Sequence, residues 1–174
     1  MYFPWAGLFD QIKNCDIFVH YDDAILPQGR SFCSRVQLRN GLKSHWMSLP
    51  IKKSKVSINK VRLDNTQEWK KKHIRMIKYS LGKAKYFFDI WELIKDIEEI
   101  EFETLDKINA YYTEKISAFL GFKTKFVFSS SYKLNLKSSE HLLQICKLNG
   151  ATTYITGHGA RNFLNHEIFE KENI

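Results

Sequence analysis

The run Thr156-Gly157-His158-Gly159-Ala160-Arg161 sets an imidazole between two glycines, with an arginine three residues further on. Histidine titrates within reach of neutral pH, which suits it to proton transfer. Gly157 and Gly159 would let backbone N–H groups close on a phosphate at a helix start, and Arg161 could clamp phosphate or carboxylate through paired hydrogen bonds. The segment is neither GxGxxG nor a Walker sequence, so a loop histidine and a surface ion pair explain the same residues. Asp22 and Asp23 follow an apolar run. The carboxyl end of a strand in an open α/β sheet is where carboxylates do base or metal work, although a solvated turn or helix cap accounts for them equally. Arg35 stands among apolar neighbours, an expensive place for a guanidinium unless Asp16 or Asp22 pairs with it or a ligand faces it. Tyr2 and Trp5, either side of Pro4, could stack on a sugar or a base, with aromatic core as the commoner fate. Trp69 and His73, four residues apart, make either a packed pair or the edge of a pocket. His158 and Asp22 are therefore the candidate catalytic residues. Tyr2, Trp5, Arg35, His73, Gly157, Gly159 and Arg161 are the candidate substrate contacts.

Metal chemistry has little to stand on. Cys15, Cys33 and Cys146 form no CxxC pair, and the gaps between His141, His158 and His166 match no common ligand spacing. Three scattered cysteines read as thiols in a reducing cytosol, so a cytoplasmic protein without metal or organic cofactor is expected.

The elements that must position these groups follow from periodicity. Apolar residues spaced by three and four predict helices over about 2–13, 66–80, 84–100, 104–120, 138–148 and 160–165. Short apolar or alternating runs predict strands over 16–21, 31–38, 45–51, 56–61, 125–130 and 152–156. Asn40-Gly41 predicts the turn of a β-hairpin. The order implies an α/β fold: one domain over residues 1–174, a mixed open sheet with a β-hairpin, and a helical insertion over about 66–121. The last strand–helix–strand is long enough for a parallel crossover.

The chain has 174 residues, enough for a core without disulfides, and no stretch approaches the length of a transmembrane span. Lys and Arg outnumber Asp and Glu by 27 to 19, but unevenly. Residues 41–85 carry 13 basic and 2 acidic side chains, whereas residues 86–106 carry 8 acidic and 1 basic. Two oppositely charged neighbouring helices explain this, and so does a polyanion site on the basic segment or a solvated face without a role. None of the known nucleic-acid signatures accompanies it.

Several blocks, in order, resemble the WbqC-like family of bacterial proteins. They are Tyr2-Phe3-Pro4-Trp5-Ala6-Gly7-Leu8-Phe9-Asp10-Gln11-Ile12, Cys15–Val19 with Asp22-Asp23, Phe32–Leu38, Trp46–Ile51, Trp69 with His73, Gly82–Phe87, and Tyr154–Arg161. Members occur among genes for O-antigen and other surface polysaccharides. The resemblance therefore implies a transferase-type enzyme acting on a nucleotide-linked amino-sugar or another phosphorylated small molecule, with acyl or aminoacyl transfer as the candidate reaction. A non-catalytic nucleotide- or RNA-binding module, or a scaffold of the polysaccharide machinery, is the alternative. Family members normally carry a strand and His-Gln-Pro ahead of the Tyr-Phe-Pro-Trp and a later Tyr-x-Gln. A truncated product or part of a longer protein is thus the expectation. Ser34 and Ile25 stand where the family tends to have Asn and Gln.

Overall fold

A computed structural model describes residues 1–29, 31–52 and 55–174. It has α/β architecture. Its parallel component pairs β1 (Ile17–His20) with β4 (Lys125–Phe128), in the register Ile17 to Lys125 through His20 to Phe128. Both strands are short apolar and aromatic runs, half-buried along their length apart from the exposed Lys125. Everything between them forms the crossover.

The first part of that crossover is an antiparallel hairpin of β2 (Arg35–Asn40) and β3 (Lys43–Ser48), turning at Gly41, which takes φ +57°. Met47 and Val36 point into the core, while Gln37 pairs with Trp46 on the other face. The open sheet is realised as two separate two-stranded pieces. Residues 56–61 form no strand. Ser57 makes a single bridge to Ile25 and the chain then winds into one 3-10 turn, because Asn59 N–H turns aside to the Asp22 carbonyl.

Helices α1 (Ala6–Lys13), α2 (Trp69–Leu81), α3 (Phe87–Ile94), α4 (Leu105–Phe119), α5 (Ser138–Leu148) and α6 (His166–Glu170) complete the fold. The 66–80 expectation starts three residues late. Thr66 donates from both its N–H and its hydroxyl to Asp64, a local turn that competes with helix. The 84–100 expectation shortens at its end, where Asp96, Glu98 and Glu99 would meet the negative pole of a longer helix. The chain tightens there into a 3-10 turn that buries Ile97.

The main core joins the hairpin to α2, α3 and α4 through Met47, Ile77, Ile94, Leu105 and Ile108, with Val61 and Ile97 from the turns between them. A smaller cluster of Cys146, Leu164 and Phe169 holds α5 to α6, with Tyr154 stacked on Phe169 at 5.1 Å. The last expected crossover is absent: residues 152–156 form no strand, and 160–165 form no α-helix but follow a 3-10 turn at His158–Ala160. The β-branched pair Thr152-Thr153 is exposed, so it has no apolar face to bury in a ladder. No described helix is long and apolar enough to cross a membrane.

Candidate functional site

Parallel pairing of β1 with β4 brings the residues that follow each strand side by side. After β1 come Tyr21, Asp22 and Asp23; after β4 come Ser129, Ser130 and Ser131 in a 3-10 turn. Asp22 is buried and accepts from Ser130 N–H at 3.0 Å, Ser130 Oγ at 2.6 Å and Asn59 Nδ2 at 3.2 Å. Ser129 Oγ lies near both carboxylates but has one proton. Asp23 Oδ1 is the closer acceptor and takes it.

The second Asp23 oxygen faces His141 Nε2 at 3.5 Å. His141 belongs to the first turn of α5, and its Nδ1–H donates to the Leu136 carbonyl at 3.1 Å. That bond fixes the tautomer, leaving a buried Nε2 with no hydrogen-bond partner among the described residues. The Tyr21 ring lies 5.4 Å from the imidazole, and burial raises the pKa of its hydroxyl, helped by the Asp23 charge and by Tyr154. Of the carboxylate and imidazole that face each other, Asp23 is the one that meets solvent, its side chain 26% exposed against 4% for His141, and the exposed Tyr21 lies beside them.

Helix α4 supplies the neighbouring wall. Lys107 Nζ sits 4.5 Å over the Phe128 ring and 3.8 Å from Asp106 Oδ2. Asp106 Oδ1 and Asn109 Oδ1, one turn apart on that helix, are buried acceptors without a donor among the described residues. His20 Nε2 approaches Glu114 at 3.0 Å. Burial holds the imidazole at about 4 and raises the Glu114 carboxyl, so at neutral pH this is a neutral N–H donating to a carboxylate and not an ion pair.

The structure redistributes the residues chosen from sequence. Asp22 lies at the centre of the cluster, but its oxygens are committed to Ser130 and Asn59, which makes it a positioning group. His158 is exposed in the short 3-10 turn, without a side-chain hydrogen bond or ion pair among the described residues. Gly157 adopts φ −78°, which needs no glycine, and no helix of useful length begins there, so Gly157, Gly159 and the exposed Arg161 form no phosphate-binding helix start. Arg35 pairs with neither Asp16 nor Asp22. Its guanidinium stacks 4.4 Å over Trp46, with Nε and Nη2 buried and lacking acceptors among the described residues. Cation–π attraction of about 0.5–2 kcal/mol offsets part of that desolvation.

Tyr2 and Trp5 part company at Phe3, which takes φ +44°. Trp5 stays 64% exposed with its ring over Gly7, where any Cβ would collide with it. Tyr2 enters the core and donates its hydroxyl to His73 Nδ1 at 2.8 Å, while His73 Nε2–H donates to the Ser48 carbonyl at 3.1 Å. His73 edges a groove of about 420 Å³ also lined by Pro50, Gln67 and Lys72. Both of its nitrogens are used internally. It has none to offer a ligand.

This buried pair carries a pH signature. Burial lowers the His73 pKa from 6.5 to about 4, against the opposing bond to Ser48. The unfolded chain therefore binds the proton more readily than the folded one. The neutral imidazole's contribution is complete above the unfolded value and is lost as pH falls toward about 4. His20 acts in the same window and with the same sign. We expect the urea midpoint to fall between pH 6.5 and 4 and His73→Gln to remove about half of that fall. A midpoint constant across the window would show both imidazoles to be hydrated.

Comparison with known proteins adds a family. The model of the WbqC-like protein family matches residues 1–174. The chain belongs to the WbqC-like family. It is also similar to the uncharacterized protein Rv1507c of Mycobacterium tuberculosis, with 28% identity over 177 residues covering 99% of this chain and 76% of that protein. No solved structure shows a significant match. Within this WbqC-like chain, sequence reasoning missed His141, Ser129, Ser130, Asn59 and Tyr21. The available signal was the pair of apolar runs that end in Asp-Asp and Ser-Ser-Ser, since parallel pairing of those runs joins the two polar ends. Among the described residues no three His, Cys, Asp or Glu side chains converge to hold a metal ion.

Proposed function

We propose that this WbqC-like protein is a transferase of bacterial surface-polysaccharide biosynthesis, moving an acyl or aminoacyl group onto an amine or hydroxyl of a nucleotide-linked amino-sugar. The observation that supports it is Asp23: a part-exposed carboxylate at the carboxyl end of a parallel strand pair, held by Ser129 on one oxygen and faced by His141 on the other. Such a group removes the proton from an acceptor N–H or O–H as that atom attacks the donor carbonyl. The bond from that carbonyl to the donor's carrier then breaks, and the carrier leaves with the proton returned from Asp23. Proximity lets His141 Nε2 share that proton. Asp22, Ser130 and Asn59 keep the turn in place while this happens.

Thermal-shift measurements against a panel of nucleotide-sugars and acyl donors test this reading. A ligand at a hundredfold excess over its Kd stabilises by about 2.7 kcal/mol, which in a chain of this length raises Tm by about 5–10 °C. A shift of that size with a nucleotide-amino-sugar is expected. No shift with any phosphorylated ligand would overturn the proposal.

A further inference from the structure

The hairpin of α2 and α3 runs past the core it belongs to. Ile77 is the last buried residue of α2, and the next buried side chain is Ile94, at the end of α3. Between them every residue from Leu81 to Tyr86 is exposed. The tip is nevertheless not polar: Tyr79 is 76%, Tyr86 62% and Phe88 78% exposed, with Leu81 also open to solvent. Four large apolar side chains within ten residues is far from the scattered exposure that needs no explanation.

Charge at the same place is of one sign. Lys72, Arg75, Lys78, Lys83 and Lys85 lie between residues 72 and 88, and that stretch has no Asp or Glu. The acidic segment that follows neutralises other cations: Glu101 pairs with Lys70 at 2.5 Å and Glu103 with Arg62. Lys72, Arg75, Lys83 and Lys85 form no ion pair among the described residues. Lys78 and Lys85 instead lie over rings, at 4.3 Å from Trp91 and 4.9 Å from Tyr86. Asp89, in the first turn of α3, is the first carboxylate to follow the tip in sequence.

We infer that this tip docks on an anionic lipid surface, with Phe88, Leu81 and the two tyrosines entering the headgroup region and the lysines meeting lipid phosphates. The shape favours lipid over single-stranded nucleic acid, because a turn between two helices that is exposed on every residue offers no groove to track a strand. Leu81 and Phe88 have no polar handle, and Leu81 has no ring to stack on a base. A second copy of the chain is disfavoured, since two such tips would bring like charges together. Aromatic rings with a polar edge and long basic side chains are what the bilayer interface selects.

Co-sedimentation with vesicles tests it, comparing pure phosphatidylcholine with phosphatidylcholine–phosphatidylglycerol mixtures. Binding only to the anionic vesicles is expected, weakened about fivefold for each of Lys83→Ala and Lys85→Ala. Phe88→Ser should weaken it at least as much without altering charge. These side chains are exposed, so circular dichroism and Tm should match the parent chain. Phe88→Trp should become quenchable by brominated phosphatidylglycerol. Absence of binding to anionic vesicles would overturn the inference. So would equal binding of the parent and Phe88→Ser chains, or tighter binding to single-stranded RNA than to vesicles. Asp23→Asn should bind vesicles as the parent does, which separates this surface from the transfer reaction.

Discussion

Asp22→Ala is expected to destabilise the protein by about 3–5 kcal/mol, a large share of the total for a domain of this size. The carboxylate is buried and is the acceptor for Ser130 N–H, Ser130 Oγ and Asn59 Nδ2. Removing it leaves a backbone donor and an amide donor without partners, each costing about 1–3 kcal/mol. Ser130 is half-buried and can turn its hydroxyl toward water, which keeps the sum below the simple total. Asp22→Asn preserves the shape but presents an NH2 where an acceptor is needed, so its cost should be about half as large. Urea unfolding would show this as a lower midpoint at an unchanged slope. A loss under about 1 kcal/mol would mean that water replaces the carboxylate freely, and Asp22 would then not be what holds the two strand ends together.

Much of the fold is written locally. The apolar stripe of α4, closed by Gly121 at φ +77°, and that of α5, closed by Gly150 at φ +62°, come through with ends moved by at most a residue. The Asn40-Gly41 turn likewise announces its hairpin. What was not legible depends on partners distant in sequence. Thr152 to Thr156 has the composition of a strand, but no neighbour offers it a ladder, and β-propensity follows the surface a strand packs on. The Gly-His-Gly motif illustrates the same limit for the site. Its glycines imply a phosphate turn only if a strand precedes and a helix follows, and neither is present. His141 was hidden for the opposite reason. Read along α5 it is one polar residue in a helix start, and only the packing of that helix beside Asp23 gives it a role. Arg35 was legible as an anomaly, and its resolution on the face of Trp46 instead of a carboxylate needed the hairpin register.

Asp23→Asn should lower kcat for the transfer reaction by about 10²–10⁴-fold while leaving Tm nearly unchanged. The substitution is isosteric, and the Asn oxygen still accepts from Ser129, so the turn after β1 keeps its shape. What disappears is the ability to take a proton. A loss confined to KM would instead mark Asp23 as a binding group, and a rate within twofold of the parent would remove it from the mechanism. His141→Asn provides the complementary reading. Its amide retains a donor for the Leu136 carbonyl and empties the space facing the second Asp23 oxygen. If the imidazole positions and tunes Asp23, that variant should move the pH dependence of kcat/KM and spare the affinity for the nucleotide-sugar. A purely structural histidine would lower Tm and leave the pH profile where it was.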